Sequence, residues 1–243
     1  MNSSHAIDLV NDQANPRLAA PPSPRLRAAV AMGLGVGVLL IAGCGALPDR
    51  PARAVLYDFG PGLVAGNPAV SPTAAGAPVA MASTLALAEV EASARLEGTQ
   101  VLYRLGYADG NELRPYGLAR WSVAPVQLVH QRVNDALSLR HTVLSPRESA
   151  SMARSGGRVP NTLRVTLEEF SQYFEAPASS VGLVRLRATL IQTQAGGDRV
   201  LAQRSFTAQR PAPTPDAAGG VKALAAATDA AVAELAGWVD ATR

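Results

Sequence analysis

The chain has 243 residues, of which 48% are apolar and 17% are charged, a composition that suits one ordinary folded domain and excludes a disordered polymer. One cysteine and three histidines are too few for a disulfide framework or for a zinc site built from cysteine and histidine. The net charge of +3 comes from scattered arginines, and without a basic stripe the sequence predicts no nucleic-acid partner.

Residues 1–43 have the order of a bacterial signal peptide. Three arginines, the last of them Arg27, precede the fifteen uncharged residues 28–42, and small residues follow at a cleavage point. An uncleaved transmembrane helix is the alternative, because the uncharged run extends to Leu47 and reaches about the length that spans a bilayer. Five glycines in this run and Pro48 directly after it disfavour a stable spanning helix.

The only cysteine, Cys44, ends the motif Ile41-Ala42-Gly43-Cys44, which resembles a bacterial lipobox. In such a motif diacylglycerol is attached to the thiol, the chain is cleaved before the cysteine, and the new amino terminus is acylated. We therefore predict a lipid anchor at Cys44, a lipidated tether over 44–52, and no other cofactor and no metal. Gly45 stands where aspartate would favour retention in the inner membrane, so we predict an outer-membrane lipoprotein facing the periplasm, with inner-membrane retention as the alternative.

The rest of the chain, 53–243, is predicted to form a single globular domain. Its first part alternates strand-like runs with stretches rich in proline and glycine. The predicted strands are Arg53–Phe59, Ser83–Val90 and Gln100–Leu105, the predicted loop is 60–80, and the predicted hairpin turn is 108–111.

A helix is predicted from Pro125 to about Leu139, because apolar residues recur there at the spacing of one helix face. A short strand over 141–145 and a loop from Pro146 to Pro160 follow. In the next strand apolar and polar residues alternate, so one face of the sheet should be wet. The three long strands of this part are Leu163–Phe170, Val181–Thr193 and Val200–Ala208, with a tight hairpin at 196–198.

A proline-rich linker, 211–215, precedes a final amphipathic helix that should close over the sheet. Its apolar stripe consists of Val221, Leu224, Thr228, Val232, Leu235 and Val239. The predicted fold class is therefore α+β, with a twisted, largely antiparallel sheet and two helices packed on one face.

The domain offers few groups for catalysis. His130 and His141 fit no metal-binding spacing, and we predict that both are surface histidines. Glu168 and Glu169 are adjacent, so in a regular strand they would face opposite sides of the sheet and could not act as an acid/base pair. The sequence has neither a nucleophile-elbow motif nor a phosphate-binding P-loop. We predict no enzyme and no catalytic residue.

Aromatic residues are concentrated in two places, and two interpretations stay open for both. They could form a sticky patch for a partner or a lipid, or they could pack in the core, which we expect in particular for Trp121. The two groups are Tyr103, Tyr107, Tyr116 and Trp121, and Phe170, Tyr173 and Phe174.

In order and spacing these segments resemble the ABC-type transport auxiliary lipoprotein family, over nearly all of the mature chain. The family usually has Tyr-Asp-Leu in its first strand, where this chain has phenylalanine at the third position, and the loop 60–80 is longer than usual. The residues that carry the resemblance are Cys44, Tyr57-Asp58-Phe59, Arg120-Trp121, Ala124-Pro125, the strand 163–170 and the last helix, which ends near Trp238.

The resemblance implies a fold similar to the N-terminal domain of TolB and a non-catalytic, adaptor role in envelope lipid transport. Such lipoproteins accompany an ATPase, a permease and an MCE-domain protein that move lipids between the inner and outer membranes. Only Cys44 carries over as a functional position. A periplasmic lipid carrier is the first alternative and an envelope hydrolase the last, and the question of a homo-oligomer stays open.

Overall fold

The computed structural model describes residues 52–61, 83–154, 159–194 and 196–242, which belong to one unit, Ala52–Arg243. The predicted signal peptide, the lipobox with Cys44 and nearly all of the predicted tether lie outside the described residues, as does most of the loop 60–80.

The described residues form nine strands and four helices, so the α+β prediction is confirmed. The strands are β1 (Val55–Tyr57), β2 (Ser83–Leu87), β3 (Glu91–Ala92), β4 (Gln100–Leu105), β5 (Gly110–Trp121), β6 (His141–Leu144), β7 (Asn161–Ala176), β8 (Ser179–Gln194) and β9 (Gly197–Pro211). The helices are α1 (Gly106–Asp109), α2 (Pro125–Ser138), α3 (Pro146–Arg154) and α4 (Ala217–Ala241), with a 3-10 turn at Ala94–Leu96.

Strand β7 is the centre of the sheet. Along one edge it pairs antiparallel with β8, which pairs antiparallel with β9. Along its other edge β7 pairs in parallel with β2, β3 and β4 in succession, with β6 beyond β2, and with β5 and then β1 beyond β4. The longest ladders are antiparallel and the short parallel ones complete a mixed sheet.

Helix α4 covers β7, β8 and β9. It begins after Asp216, whose Oδ1 accepts a hydrogen bond from the backbone N–H of Gly219 at 2.8 Å, the usual way in which an N-cap satisfies a free amide. All six residues of the predicted apolar stripe are buried, and the helix closes over the sheet as predicted.

Helix α2 packs against α4 and β6. Its Arg132 is only 7% exposed, donates from Nη2 to the carbonyl oxygen of Phe59 at 2.6 Å, and places Nε 3.2 Å from Oδ1 of Asp229 in α4. Burial raises the pKa of Asp229, and the charge of Arg132 acts in the opposite direction. The guanidinium thus joins the segment after β1 to α2 and α4.

An aromatic cluster fills the space between β1, β5 and β7. The ring of Trp121, 1% exposed, lies 5.5 Å from those of both Phe59 and Phe170, a separation typical of stabilising aromatic pairs. Core packing is confirmed for Trp121, Phe170 and Phe174, whereas Tyr107 is 48% exposed. The resemblance motif around Phe59 and Trp121 therefore corresponds to core packing.

Two parts of the secondary-structure prediction are wrong. The predicted loop from Pro146 to Pro160 contains α3, and the stretch from Gly110 to Trp121, to which no strand was assigned, is the 12-residue strand β5. The predicted turn at 108–111 does lie between two antiparallel strands, but the connection is the short helix α1.

Candidate functional site

The predicted site residue, Cys44, lies outside the described residues, so its lipidation stays a prediction. In the described ranges no helix is both long enough and apolar enough to cross a membrane. Those ranges also hold no cluster of three or more histidine, cysteine or acidic side chains suited to a metal ion.

One candidate surface is the side of β7, β8 and β9 turned away from α4, which we call the open face. Its residues follow from the register, because laterally paired residues share a face. Arg164 pairs with Thr189, Thr166 with Arg187, and Arg187 in turn with Ser205. Its three arginines, Arg164, Arg185 and Arg187, are all exposed. The predicted wet face is confirmed.

A β-bulge in β7 changes the predicted positions of the two adjacent glutamates. Leu167 pairs with Leu186 and Glu169 pairs with Arg185, which leaves Glu168 as the extra residue. Because the insertion shifts the alternation by one position, Glu169 shares the open face with Arg185. The prediction that Glu168 and Glu169 face opposite sides is therefore wrong.

The two glutamates form a charged cluster with arginines from other elements. Glu168 lies 3.1 Å from Arg187, and Glu169 lies 3.2 Å from Arg104 of β4 and 4.0 Å from Arg95. Arg95 also donates to the carbonyl oxygen of Glu168 at 2.8 Å. Arg95 and Arg104 were not predicted as members of this surface, and no local motif marks them, since the fold brings them in from a distant segment.

Positive charge exceeds negative charge on this surface. Three arginines share the two glutamates, while Arg164 and Arg185 take part in no ion pair within the described ranges. Exposed arginines outside these ion pairs remain available to carboxylates of another molecule, which guanidinium groups bind through paired hydrogen bonds. The open face is thus suited to an acidic protein surface.

The prediction of a surface histidine is wrong for His141, which is 2% exposed. Its Nε2 lies 2.9 Å from Oδ1 of Asp240 and its Nδ1 lies 3.1 Å from Oγ of Ser83. Partial burial acts to raise the pKa of Asp240, but hydrogen bonds from Arg140 and His141 outweigh it, and the pKa is lowered. The ionised carboxylate therefore accepts a hydrogen bond from His141, which fastens the end of α4 to β6 and β2.

His130 has a different environment in α2. Its Nδ1 lies 3.9 Å from a carboxylate oxygen of the exposed Glu89, and its side chain is 29% exposed. It borders a cavity of about 340 Å³ between α2 and the start of α3. The ring of His130 is therefore partly exposed, which agrees with the prediction of a surface histidine.

A cavity of about 610 Å³ with a mixed polar and apolar lining lies between α3, the sheet and the end of α4. Its size falls within the range of about 300–1,000 Å³ that is typical of small-molecule sites. Apolar side chains make up much of its lining. They include Leu85, Met152, Pro160, Leu190 and Val239.

Comparison with known proteins gives a match over most of the chain. Residues 65–236 match the model of the family described as ABC-type transport auxiliary lipoprotein component. No curated protein matches the sequence.

Solved structures support the fold. A Xanthomonas campestris protein of the DUF330 family is 21% identical with a TM-score of 0.56, over 67% of this chain and 87% of that one. A second, uncharacterised protein is 16% identical with a TM-score of 0.53, over 77% and 99% of the two chains. The PelC dodecamer of Paraburkholderia phytofirmans is 13% identical over 66% and 93%, and its TM-score of 0.34 is too low to support an argument about assembly.

Proposed function

Because this chain belongs to the ABC-type transport auxiliary lipoprotein family, we propose that it is the lipid-anchored, non-catalytic adaptor of an MCE-associated ABC system that moves lipids across the envelope. Cys44 carries the diacylglycerol and the N-acyl chain, residues 44–52 form the tether, and the anchor holds the domain at the outer membrane, facing the periplasm. The ABC permease and ATPase belong to the same system.

The observation that supports an adaptor is the open face, on which the exposed Arg164 and Arg185 take part in no ion pair within the described ranges. Complementary charge speeds encounter and orients two proteins, and reversing a charge at such a surface weakens the complex. We propose that Arg164 and Arg185 bind an acidic surface on the periplasmic part of the MCE-domain protein. This docking requires no catalytic group.

The test is a charge reversal with a matched control. Arg185→Glu should weaken binding to the periplasmic domain of the MCE protein by about tenfold, equivalent to about 1.4 kcal/mol. Lys222→Glu makes the same change in net charge on the exposed side of α4 and should leave affinity unchanged. Surface plasmon resonance on the purified lipoprotein measures both, and equal effects at the two positions would show that net charge matters but the open face does not.

The cavity between α3, the sheet and the end of α4 favours a second candidate, a domain that carries lipid itself. A carrier extracted from membranes should retain phospholipid in addition to its covalent anchor, whereas an adaptor should show the anchor mass alone. Native mass spectrometry separates the two. Met152→Trp would fill the cavity beside Leu85 and Leu190. If the domain is a carrier, this variant should lose the retained phospholipid, whereas an adaptor should show the anchor mass alone with or without the substitution.

The hydrolase alternative can be tested at one group of contacting side chains. Ser83, His141 and Asp240 are the three residue types of a hydrolase triad. A fluorophosphonate probe labels a serine that such a triad activates. For an adaptor we expect no labelling at Ser83, and labelling that depends on both Ser83 and His141 would replace the adaptor by an enzyme.

A further inference from the structure

The strand β1 forms an edge of the sheet and carries unusually exposed apolar side chains. It pairs in parallel with β5 through Val55↔Ala119 and Leu56↔Arg120. Val55 is 52% exposed and Leu56 is 67% exposed, and Leu118 on the neighbouring strand is 54% exposed. Strand edges in soluble domains usually carry charges or prolines instead, so this edge calls for a specific explanation.

The two leucines lie on the same face of the sheet. Leu56 and Arg120 are lateral partners, and Leu118 is two positions from Arg120, so all three side chains project on one side. The diagonal between Leu56 and Leu118 is within the reach of long side chains. Val55 alternates with Leu56, so its side chain projects on the opposite face of the same edge strand, where it is also exposed. We call Val55, Leu56 and Leu118 the β1 patch.

The position of the β1 patch in the chain limits what can cover it. Val55 follows Cys44 by eleven residues, which can span at most about 40 Å when fully extended. Among the described strands β1 is therefore the closest along the chain to the proposed anchor, and it lies within about 40 Å of the lipid surface to which Cys44 is attached. Arg53, two residues before the patch, is exposed and adds a charge that attracts anionic headgroups.

We propose that the β1 patch rests on the membrane surface, with Leu56 and Leu118 inserted at the boundary between headgroups and acyl chains. The contact uses the same physics as an interfacial amphipathic segment, in which apolar area enters the boundary while basic residues meet phosphates. It orients the domain, so that the opposite edge of the sheet, β9, points away from the bilayer. This inference rests on the proposed lipidation of Cys44.

The experiment uses the full-length lipoprotein in vesicles of phosphatidylethanolamine and phosphatidylglycerol that contain acyl-brominated lipid. Because Cys44 is the only cysteine and its thiol is consumed by lipidation, single cysteines introduced as Leu56→Cys, Leu118→Cys or Val200→Cys accept a bimane label specifically. Val200 is the matched control, since it is 60% exposed on β9, at the other end of the strand order.

We expect bromine to quench the label at positions 56 and 118 at least about twofold more strongly than the label at 200, since an interfacial contact lies about 5–10 Å deep. If one leucine variant is unstable, the other serves alone, because both leucines lie on the same face. Equal quenching at all positions in vesicle-bound protein would overturn the membrane contact while leaving the anchor intact. If the unsubstituted chain takes up label and fails to bind vesicles, the lipidation of Cys44 is wrong, and the membrane contact falls with it.

Discussion

Gly182 of β8 lies directly against the backbone of Ala223 in α4. A Cβ atom at Gly182 would meet the carbonyl group of Ala223 and the nitrogen of Leu224 at distances that real structures do not show. Because the obstacle is backbone rather than a flexible side-chain end, it cannot move aside at low cost. The close approach of helix and sheet at this point therefore requires glycine.

We predict that Gly182→Ala destabilises the domain by about 1–3 kcal/mol, the usual cost of overpacking. The control is Gly237→Ala in helix α4, where a Cβ would meet nothing within 4 Å and where alanine should stabilise by about 0.5–1 kcal/mol. Urea melts of the two variants should shift in opposite directions. A neutral Gly182→Ala would mean that α4 lies further from β8.

The middle of the α4 stripe provides a second prediction. Leu235 is fully buried and the adjacent Glu234 is exposed. Leu235→Ala should cost about 2–5 kcal/mol through lost contacts and a residual cavity, whereas Glu234→Ala should change stability by no more than about 0.5 kcal/mol. Should Leu235→Ala keep full stability but lose transport in cells, the stripe contacts a partner and not the sheet.

The long elements could be predicted from the sequence because one local signal dominates in each. The stripe from Val221 to Val239 has helical spacing, and Leu163, Val165 and Leu167 alternate with polar residues in β7. In both, local periodicity and tertiary burial agree, since one side of each element packs in the same core. These are the parts of the prediction that the structure confirms.

The predicted loop from Pro146 to Pro160 is wrong at α3, although the sequence carries a start signal for this helix. Ser145 and Glu148 form a capping box: the Ser145 N–H donates to Glu148 Oε2 at 2.7 Å, and the Glu148 N–H donates to Ser145 Oγ at 3.3 Å. Proline at 146 favoured a loop, but it occupies the first helical position, where proline is well tolerated. Here the serine and glutamate three positions apart should have outweighed the proline.

Other features depend on tertiary contacts that no local pattern carries. Pro115 and Gly117 weaken the strand signal of β5, which gains its pairing from β4 and β1. The bulge at Glu168 becomes visible only in the register against β8. The burial of His141 depends on Asp240, 99 residues later in the chain. Because such contacts join distant parts of the chain, two local predictions are wrong: that His141 lies at the surface, and that Glu168 and Glu169 face opposite sides of the sheet.

The N-cap of α4 predicts a specific pH dependence. Hydrogen bonds from the Gly219 backbone and the Thr214 hydroxyl lower the pKa of Asp216 below its ordinary value of 3.8. A carboxyl whose pKa is lower in the folded state stabilises the fold above the unfolded pKa, and this stabilisation is lost as the pH falls from about 4 towards the folded pKa.

We therefore expect Asp216→Asn, which keeps a capping oxygen, to unfold with a shallower loss of stability between about pH 4 and pH 2 than the unsubstituted protein. Asp216→Ala removes the cap and should lower the urea midpoint at neutral pH as well. Circular dichroism melts at several pH values measure both effects. Parallel stability curves for the unsubstituted protein and Asp216→Asn would show that this carboxylate does not contribute to acid unfolding.

The last prediction concerns the anchor. Cys44→Ala should abolish acylation and membrane attachment and leave the domain folded, because the cysteine precedes every described element of the fold. Gly45→Asp is the matched control, since it keeps the thiol and should preserve acylation while shifting the protein from the outer to the inner membrane. Palmitate labelling and membrane fractionation measure acylation and location, and circular dichroism measures folding. A Cys44→Ala protein that stays membrane-bound and uncleaved would restore the transmembrane helix as the better explanation of residues 28–47, whereas a soluble but unfolded one would show that the tether is part of the core.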